Sequence, residues 1–378
     1  MKNLLSITAL MMVAALAARG GAIRNVILCV ADGMGPEQVK AARFHLGTHL
    51  VFETFPYQST MTTGSASSSI TDSAAAATAM ATGVKVDNYV VALSVPGDGS
   101  ELETALEVLK ARGKSVGLVT TDDMTQATPA AFGAHAFRRD YRSEIASDYL
   151  NQTRPNVLFG GGANGLSPAA AAAAGYTVVV NRSELLALDT ETQALVSGQF
   201  GTDAFPLHTA GQGDRPSPRE MVETALDILD NDPDGFFLLF EEERADTAGH
   251  DNDIANVVLA AQSFSDAIAA ILEWMNGRAD TLLVVVADHE TGGLSITTDN
   301  GAGAYPSVTW QNTSHTDTPV GVYAIGLNAR LATNVTDNTD IHGLILSSAT
   351  QPERLVASAV DTNGVTLEWT SSSGEVYR

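Results

Sequence analysis

Cysteine is almost missing: Cys29 is the only one in 378 residues. No intrachain disulfide can form, and iron-sulfur or cysteine-built zinc centres are disfavoured with it. Lysine stops at Lys114, and the positive charges beyond it are arginines. With 21 basic against 44 acidic residues the net charge is −23, a balance that repels phosphate backbones and anionic membranes and argues against a nucleic-acid-binding surface. An anionic ligand would need locally placed positive charge, from metal ions or a few arginines. The acid excess reads equally as adaptation to salt and as a genomic bias. Long apolar runs are scarce too, and past the first residues no stretch is expected to be long and apolar enough for a membrane anchor.

The start of the chain is different. MKNLLSITALMMVAALAARGG has a charge at Lys2, an apolar run from Leu4 to Ala18, and a small-residue site at Ala15-Leu16-Ala17. That is the pattern of a cleaved export signal, so residues 1–17 are read as a signal peptide and the mature chain as periplasmic or secreted. Residues 18–347 read as the main domain. From 348 to 378 alternating residues around an Asn-Gly turn predict a β-rich tail. It suits either the first strands of a truncated β-sandwich module or extra edge strands on the main domain.

Between these ends, short β-rich runs alternate with helical stretches, which predicts a doubly wound α/β fold with a mainly parallel sheet covered by helices on both faces. The expected strands are Asn25–Ala31, Ser115–Thr120, Asn156–Phe159, Tyr176–Val180, Gly235–Phe240, Leu282–Ala287 and Val320–Ile325. The stretch from about Asp189 to Pro216, rich in Gly, Asp and Thr, reads as a long excursion.

Open α/β sheets place ligands at the carboxyl ends of their strands. Asp32 follows one apolar strand, Glu241 a second, and Asp288 with His289 a third. One such acid is commonplace, but several delivered to the same sheet edge repel one another unless a cation sits among them. Asp246 and His250 are four apart, on one face of a helical turn. His315 lies in a loop before a further strand. Carboxylates and imidazoles without thiolates suit Zn²⁺ together with Mg²⁺ or Mn²⁺. Ser73, in TDSAAAATAM, opens an alanine-rich helix; it reads as an N-cap or as a nucleophile at the helix's positive end.

Taken in order, NVILCVADGMG, TDSAAAATAMATG, QATPAAFGAH, EEERADTAGHDND, ADHETGG and TSHTDTPVGVYAIG resemble the alkaline phosphatase family from about Asn25 to Leu346. The resemblance implies hydrolysis of phosphate monoesters, over a broad substrate range, through a phosphoserine on Ser73, with Asp72 orienting the site. It implies a first zinc site of Asp246, His250 and His315 and a second of Asp32, Asp288 and His289, joined by Ser73 during turnover. A magnesium-type site would use Asp32, Thr128 and Glu241, and the phosphate-binding arginine would be Arg139, four residues after His135. The family is often dimeric, which leaves a homodimer open. A related phosphodiesterase or sulfatase, and a non-catalytic exported phosphate- or metal-binding protein, are the competing functions.

Three departures from the family pattern stand out. Gln126 occupies a position where many members carry an aspartate or histidine, so the third metal's identity is open, and the amide is a candidate for holding water near phosphate. The segment between His289 and His315 is too short for a large insertion, so an open mouth is expected. Glu242 and Glu243 flank Glu241 and are expected in solvent. His45, His49 and His208 are expected at the surface, and His135 is expected to support its loop.

Overall fold

Runs of aliphatic and aromatic residues such as NVILCVA and FFLLFEE are buried along their whole length. Strands with two covered faces belong in the middle of a parallel sheet. The computed structural model describes residues 23–347 and, beyond them, the backbone of the strands 353–361, 364–370 and 376–377. The expected export signal lies outside the described residues.

Among the described residues thirteen strands precede residue 347: β1 (Asn25–Ala31), β2 (Tyr57–Met61), β3 (Ser115–Asp123), β4 (Val157–Gly161), β5 (Thr177–Val179), β6 (Val196–Gln199), β7 (Phe236–Glu242), β8 (Thr281–Val286), β9 (Glu290–Thr291), β10 (Ser295–Thr298), β11 (Ser307–Thr309), β12 (His315–Thr316) and β13 (Val320–Gly326). Nine of them form one sheet in the order β2-β13-β8-β1-β7-β3-β4-β6-β5. Every pair from β8 to β5 is parallel, while β13 runs antiparallel to both β8 and β2. This is the expected fold class, with an antiparallel strand near one edge.

Among the helices are α1 (Pro36–Leu46), α2 (Ser73–Thr82), α3 (Ala127–Gly133), α4 (Pro218–Leu229), α5 (Arg244–His250) and α6 (Ile254–Met275). A Ser-Pro start with a capping box, Ser217 with Glu220, opens α4. Helix α6 corrects one expectation, because it is long and apolar enough to cross a membrane. Its buried residues, including Val257, Ala261, Phe264 and Ile268, pack against α4, α5 and α1, so it is a core helix.

The excursion from Asp189 to Pro216 is also corrected: Val196–Gln199 is a fully buried strand between β4 and β5. VSGQ offers no alternation and carries a glycine, so its burial on both faces is not visible from composition. Between His289 and His315 the chain makes two small two-stranded sheets, β10-β11 and β12-β9. The strands after residue 347, β14 (Glu353–Asp361), β15 (Gly364–Thr370) and β16 (Val376–Tyr377), form a separate antiparallel sheet and add no edge to the main one.

Candidate active site

The serine of the Asp-Ser pair is not the cap of its helix. Asp72 is, with Oδ1 accepting from Ala75 N at 3.1 Å and Oδ2 from Ala74 N at 3.3 Å. Ser73 is thereby placed in the first turn of a fully buried helix, and its Oγ lies 3.3 Å from His289 Nε2. The same nitrogen is 3.5 Å from Asp32 Oδ1 and 3.2 Å from Asp288 Oδ2. Neither oxygen has a hydrogen-bond partner. Three possible metal ligands, a hydroxyl and two carboxylate oxygens, therefore surround His289 Nε2 in a buried space.

A second group adjoins the first. Asp246 and His250, on one face of α5 as expected, stand 3.2 Å apart (Oδ2 to Nε2), and His315 Nε2 is 3.6 Å from Asp246 Oδ1. The ligating atoms of Asp246, His250 and His315 lie within 4.8 Å of one another, as do those of Asp32, Asp246 and His289. The rings of His289 and His315 stack at 3.6 Å, and that of His250 is 5.1 Å from His315.

What turns the three Nε2 atoms inward is the bond made on the other side of each ring. His250 Nδ1 donates to Thr313 O and His315 Nδ1 to Thr71 O, each at 2.8 Å. His289 Nδ1 sits 3.3 Å from Thr291 Oγ1, whose hydroxyl is bonded to Asp246. With Nδ1 engaged as a donor, Nε2 is the nitrogen left for a metal ion, which at His250 would replace the proton shared with Asp246.

Electrostatics point the same way. Burial, then the charges of Asp288 and Asp246, raises Asp32 well above the usual carboxylate range. Burial, then Asp122, pushes Glu241 to about 8, and burial, then Asp246, pushes Asp288 to about 6. Burial, then the neighbouring His315, drives His289 well below its ordinary value. Only Asp246 is held low, because the hydrogen bond from His250 and the nearby imidazoles outweigh its burial. A nest of buried acids with orphaned oxygens and inward-facing imidazoles fits divalent cations, and the nitrogen-bearing groups fit zinc in particular.

The phosphate-side residues also converge. Arg139 donates from Nη1 to Asp72 Oδ2 and from Nη2 to Gln126 Oε1, both at 3.2 Å. Its backbone N–H bonds Tyr89 O, and Tyr89 N–H bonds Asp72 Oδ1, each at 2.8 Å. Glu241 accepts from Thr120 Oγ1, and Thr128, in α3, lowers its carboxyl from close by. The structure thus gathers all the expected site residues at one end of the sheet.

Four sequence expectations change. Glu242 and Glu243 are 0 % and 8 % exposed, not solvated. Glu242 forms a buried two-pronged pair with Arg244, with both bonds at 2.6 Å. Glu243 lies just past β7, in helical backbone at the start of α5. Gln126 binds Arg139, and no sequence signal announces that partner. His45 stacks on Tyr305 at 4.4 Å, and His208 is half-buried, while His49 is exposed and His135 braces its loop by bonding Leu102 O. The missed contributor is Asp122, buried at the end of β3 beside Glu241.

The family model for alkaline phosphatase matches residues 23–174 and 166–307. Alkaline phosphatase 3 of Bacillus subtilis (strain 168) is 37 % identical over 296 residues, covering 73 % of this chain and 63 % of that protein. Alkaline phosphatase H of Pseudomonas aeruginosa is 28 % identical over 399 residues, covering 84 % and 83 %. The crystal structure of a cold-active alkaline phosphatase from Shewanella sp. superposes with a TM-score of 0.79 at 29 % identity, covering 86 % of this chain and 100 % of that one. The enzyme from the Antarctic bacterium TAB5 shares the fold, with a TM-score of 0.77 at 24 % identity over 86 % of this chain and 98 % of that one. This chain spans 63 % of the length of the Bacillus relative. It belongs to the alkaline phosphatase family.

Proposed function

We propose that the protein hydrolyses phosphate monoesters to an alcohol and inorganic phosphate through a phosphoserine on Ser73. The observation that carries this reading is the convergence of Ser73 Oγ, Asp32 Oδ1 and Asp288 Oδ2 on His289 Nε2, with the Arg139 fork held beside them by Asp72. Zinc-type ions at Asp246, His250, His315 and at Asp32, Asp288, His289, with a magnesium-type ion at Asp32, Thr128 and Glu241, would lower the pKa of a neighbouring hydroxyl or water and stabilise charge on the phosphate oxygens.

Arg139 would take two phosphate oxygens in its planar fork, which a lysine matches poorly. Ser73 Oγ attacks phosphorus, its proton passing to solvent, while the bond from phosphorus to the alcohol oxygen breaks and that oxygen takes a proton. The helix N-terminus favours the resulting anion at Ser73. In the second half a water oxygen replaces Oγ on phosphorus, the serine regains its proton, and phosphate leaves. The segment between His289 and His315 holds only two short β-ribbons and no large insertion, which favours a broad range of leaving groups.

Ser73→Ala tests the reading. The wild type, quenched in acid with a monoester, should yield a peptide phosphorylated at Ser73, and the variant should lose both that peptide and about 10³-fold or more in kcat. Turnover by the variant at the wild-type rate would exclude the assignment.

A further inference from the structure

His289 stands just before β9 and His315 opens β12, so one histidine of each zinc-type group is carried on a single ribbon. The two strands are only two residues long, and they pair antiparallel, His315 opposite Thr291 and Thr316 opposite Glu290. An isolated two-stranded ribbon is marginal in water even when it is longer. Its geometry must therefore be imposed from outside the ladder.

Glu290 meets that need. It lies inside the DHETGG string, no role has absorbed it, and it is 3 % exposed. Its carboxylate accepts four hydrogen bonds: Oε1 from Gln38 Nε2 at 2.6 Å and from Leu294 N at 3.2 Å, and Oε2 from Gly293 N at 3.1 Å and from the Thr316 hydroxyl. These donors belong to α1, to the turn after β9 and to β12, so one side chain fastens the ribbon to itself and to a helix. Gln38 Nε2 donates as well to Thr291 O at 2.8 Å, and Thr291 N to Gly33 O at 3.1 Å, beside Asp32. Gly35 leaves the space Glu290 needs: a Cβ there would stand 2.2 Å from Glu290 Cγ.

All four donors are neutral, and burying a carboxylate among neutral groups is a costly way to join segments that apolar side chains could pack together. What the carboxylate adds is direction. Charge-assisted bonds are short and strong, and four of them around two oxygens fix the separation of β9 from β12. The rings of His289 and His315, which stack at 3.6 Å, depend on that separation.

We propose that Glu290 is a positioning residue for both zinc-type groups. Through Thr316 and Gln38 it sets the spacing of β9 and β12, and with it the places of His289 beside Asp32 and Asp288 and of His315 beside Asp246 and His250. Partners that orient a metal-binding side chain without touching the metal ordinarily govern its affinity. The inference rests on the metal-dependent reading of the site, but not on the phosphoserine chemistry proposed for it.

The test compares the full-length wild type with Glu290→Gln, which turns one accepting oxygen into a donor facing donors, and with Thr316→Val and Thr316→Ser. Zinc affinity is read by competition with a chromogenic chelator, ligand geometry from the visible spectrum of the cobalt-substituted proteins, and stability from melting curves in chelator. Glu290→Gln and Thr316→Val should each bind zinc about tenfold or more weakly and shift the cobalt spectrum. Thr316→Ser, which restores the hydroxyl, should recover both. Wild-type zinc affinity and cobalt spectrum in Glu290→Gln and Thr316→Val overturn the proposal, even where the Tm in chelator falls, since that is the mark of packing alone. A wild type that takes up no zinc overturns it too. Failure of the phosphatase reading appears separately, as absence of phosphoserine at Ser73 in a wild type that binds zinc.

Discussion

Arg139 shows what one residue's surroundings decide. A guanidinium can rotate about several bonds, and a fork aimed at phosphate must be held before the substrate arrives. Asp72 holds one nitrogen and Gln126 the other, both at 3.2 Å. Removing the second acceptor with Gln126→Ala should raise KM for a monoester about tenfold, roughly the worth of one hydrogen bond to a charged group. The effect on kcat should be smaller, and Gln126→Glu, which restores an acceptor, should recover KM. Steady-state kinetics on one chromogenic ester would show it, and an unchanged KM in the alanine variant would remove Gln126 from the site. Most of the expected ligand residues were legible because Asp32, Glu241, Asp288 and His289 follow apolar strands and Asp246 and His250 sit at helical spacing, whereas Thr128 and His315 came from the family resemblance. The Gln126 contact was not legible, since its partner lies thirteen positions away, beyond helix α3. The burial of Glu242 and Glu243 was not legible either, because three consecutive glutamates at the end of a strand look like a solvated run until the packing around them is known.

At the scale of elements, the connection from β7 into α5 carries two of the expected ligands, Glu241 before the junction and Asp246 after it. Between them Glu242 points to the opposite face and pairs with Arg244, whose remaining Nη1 donates to Gln212 Oε1 at 3.1 Å and whose Nη2 donates also to Ser263 Oγ of α6 at 3.3 Å. Thr121 of β3 donates to Glu242 at 3.2 Å. The pair therefore ties the junction to a core helix and a neighbouring strand. A buried ion pair that loses one partner leaves an uncompensated charge, so Arg244→Met should cost about 3–5 kcal/mol in urea unfolding. Glu242→Leu with Arg244→Met should recover most of that loss, because an apolar pair of similar volume removes the buried charge altogether. Single and double variants of equal stability would show that the pair does not act as a unit. The sequence predicted β7 and the helical spacing of Asp246 and His250. It did not predict β6, which has no alternation, or β2, whose sequence YQSTM is mostly polar and only partly buried.

Over the whole molecule, the sequence displays an excess of acid but not its distribution. The structure concentrates part of that excess at one sheet edge, where burial and mutual repulsion raise Asp32, push Glu241 to about 8 and Asp122 to about 7. These groups are ordinary carboxyls in the unfolded chain. Without metal, the folded protein therefore binds more protons than the unfolded one between about pH 4 and pH 8. The sign follows: stability of the metal-free protein is greatest near pH 4 to 5 and falls as the pH rises through the folded-state values. Asp246 and His289 work in the opposite direction: the contribution of Asp246, held low by its histidines, is complete once the pH exceeds its unfolded value, and His289, kept neutral by burial, offsets part of the fall only below its ordinary value of 6.5. Divalent cations replace the missing protons and should flatten the profile by binding the folded state alone. Melting curves from pH 5 to 8.5 should show Tm of the chelated protein dropping by several degrees while that of the zinc- and magnesium-loaded protein holds. A chelated protein as stable at pH 8.5 as at pH 5 would mean that these carboxylates do not share one buried, cation-dependent field.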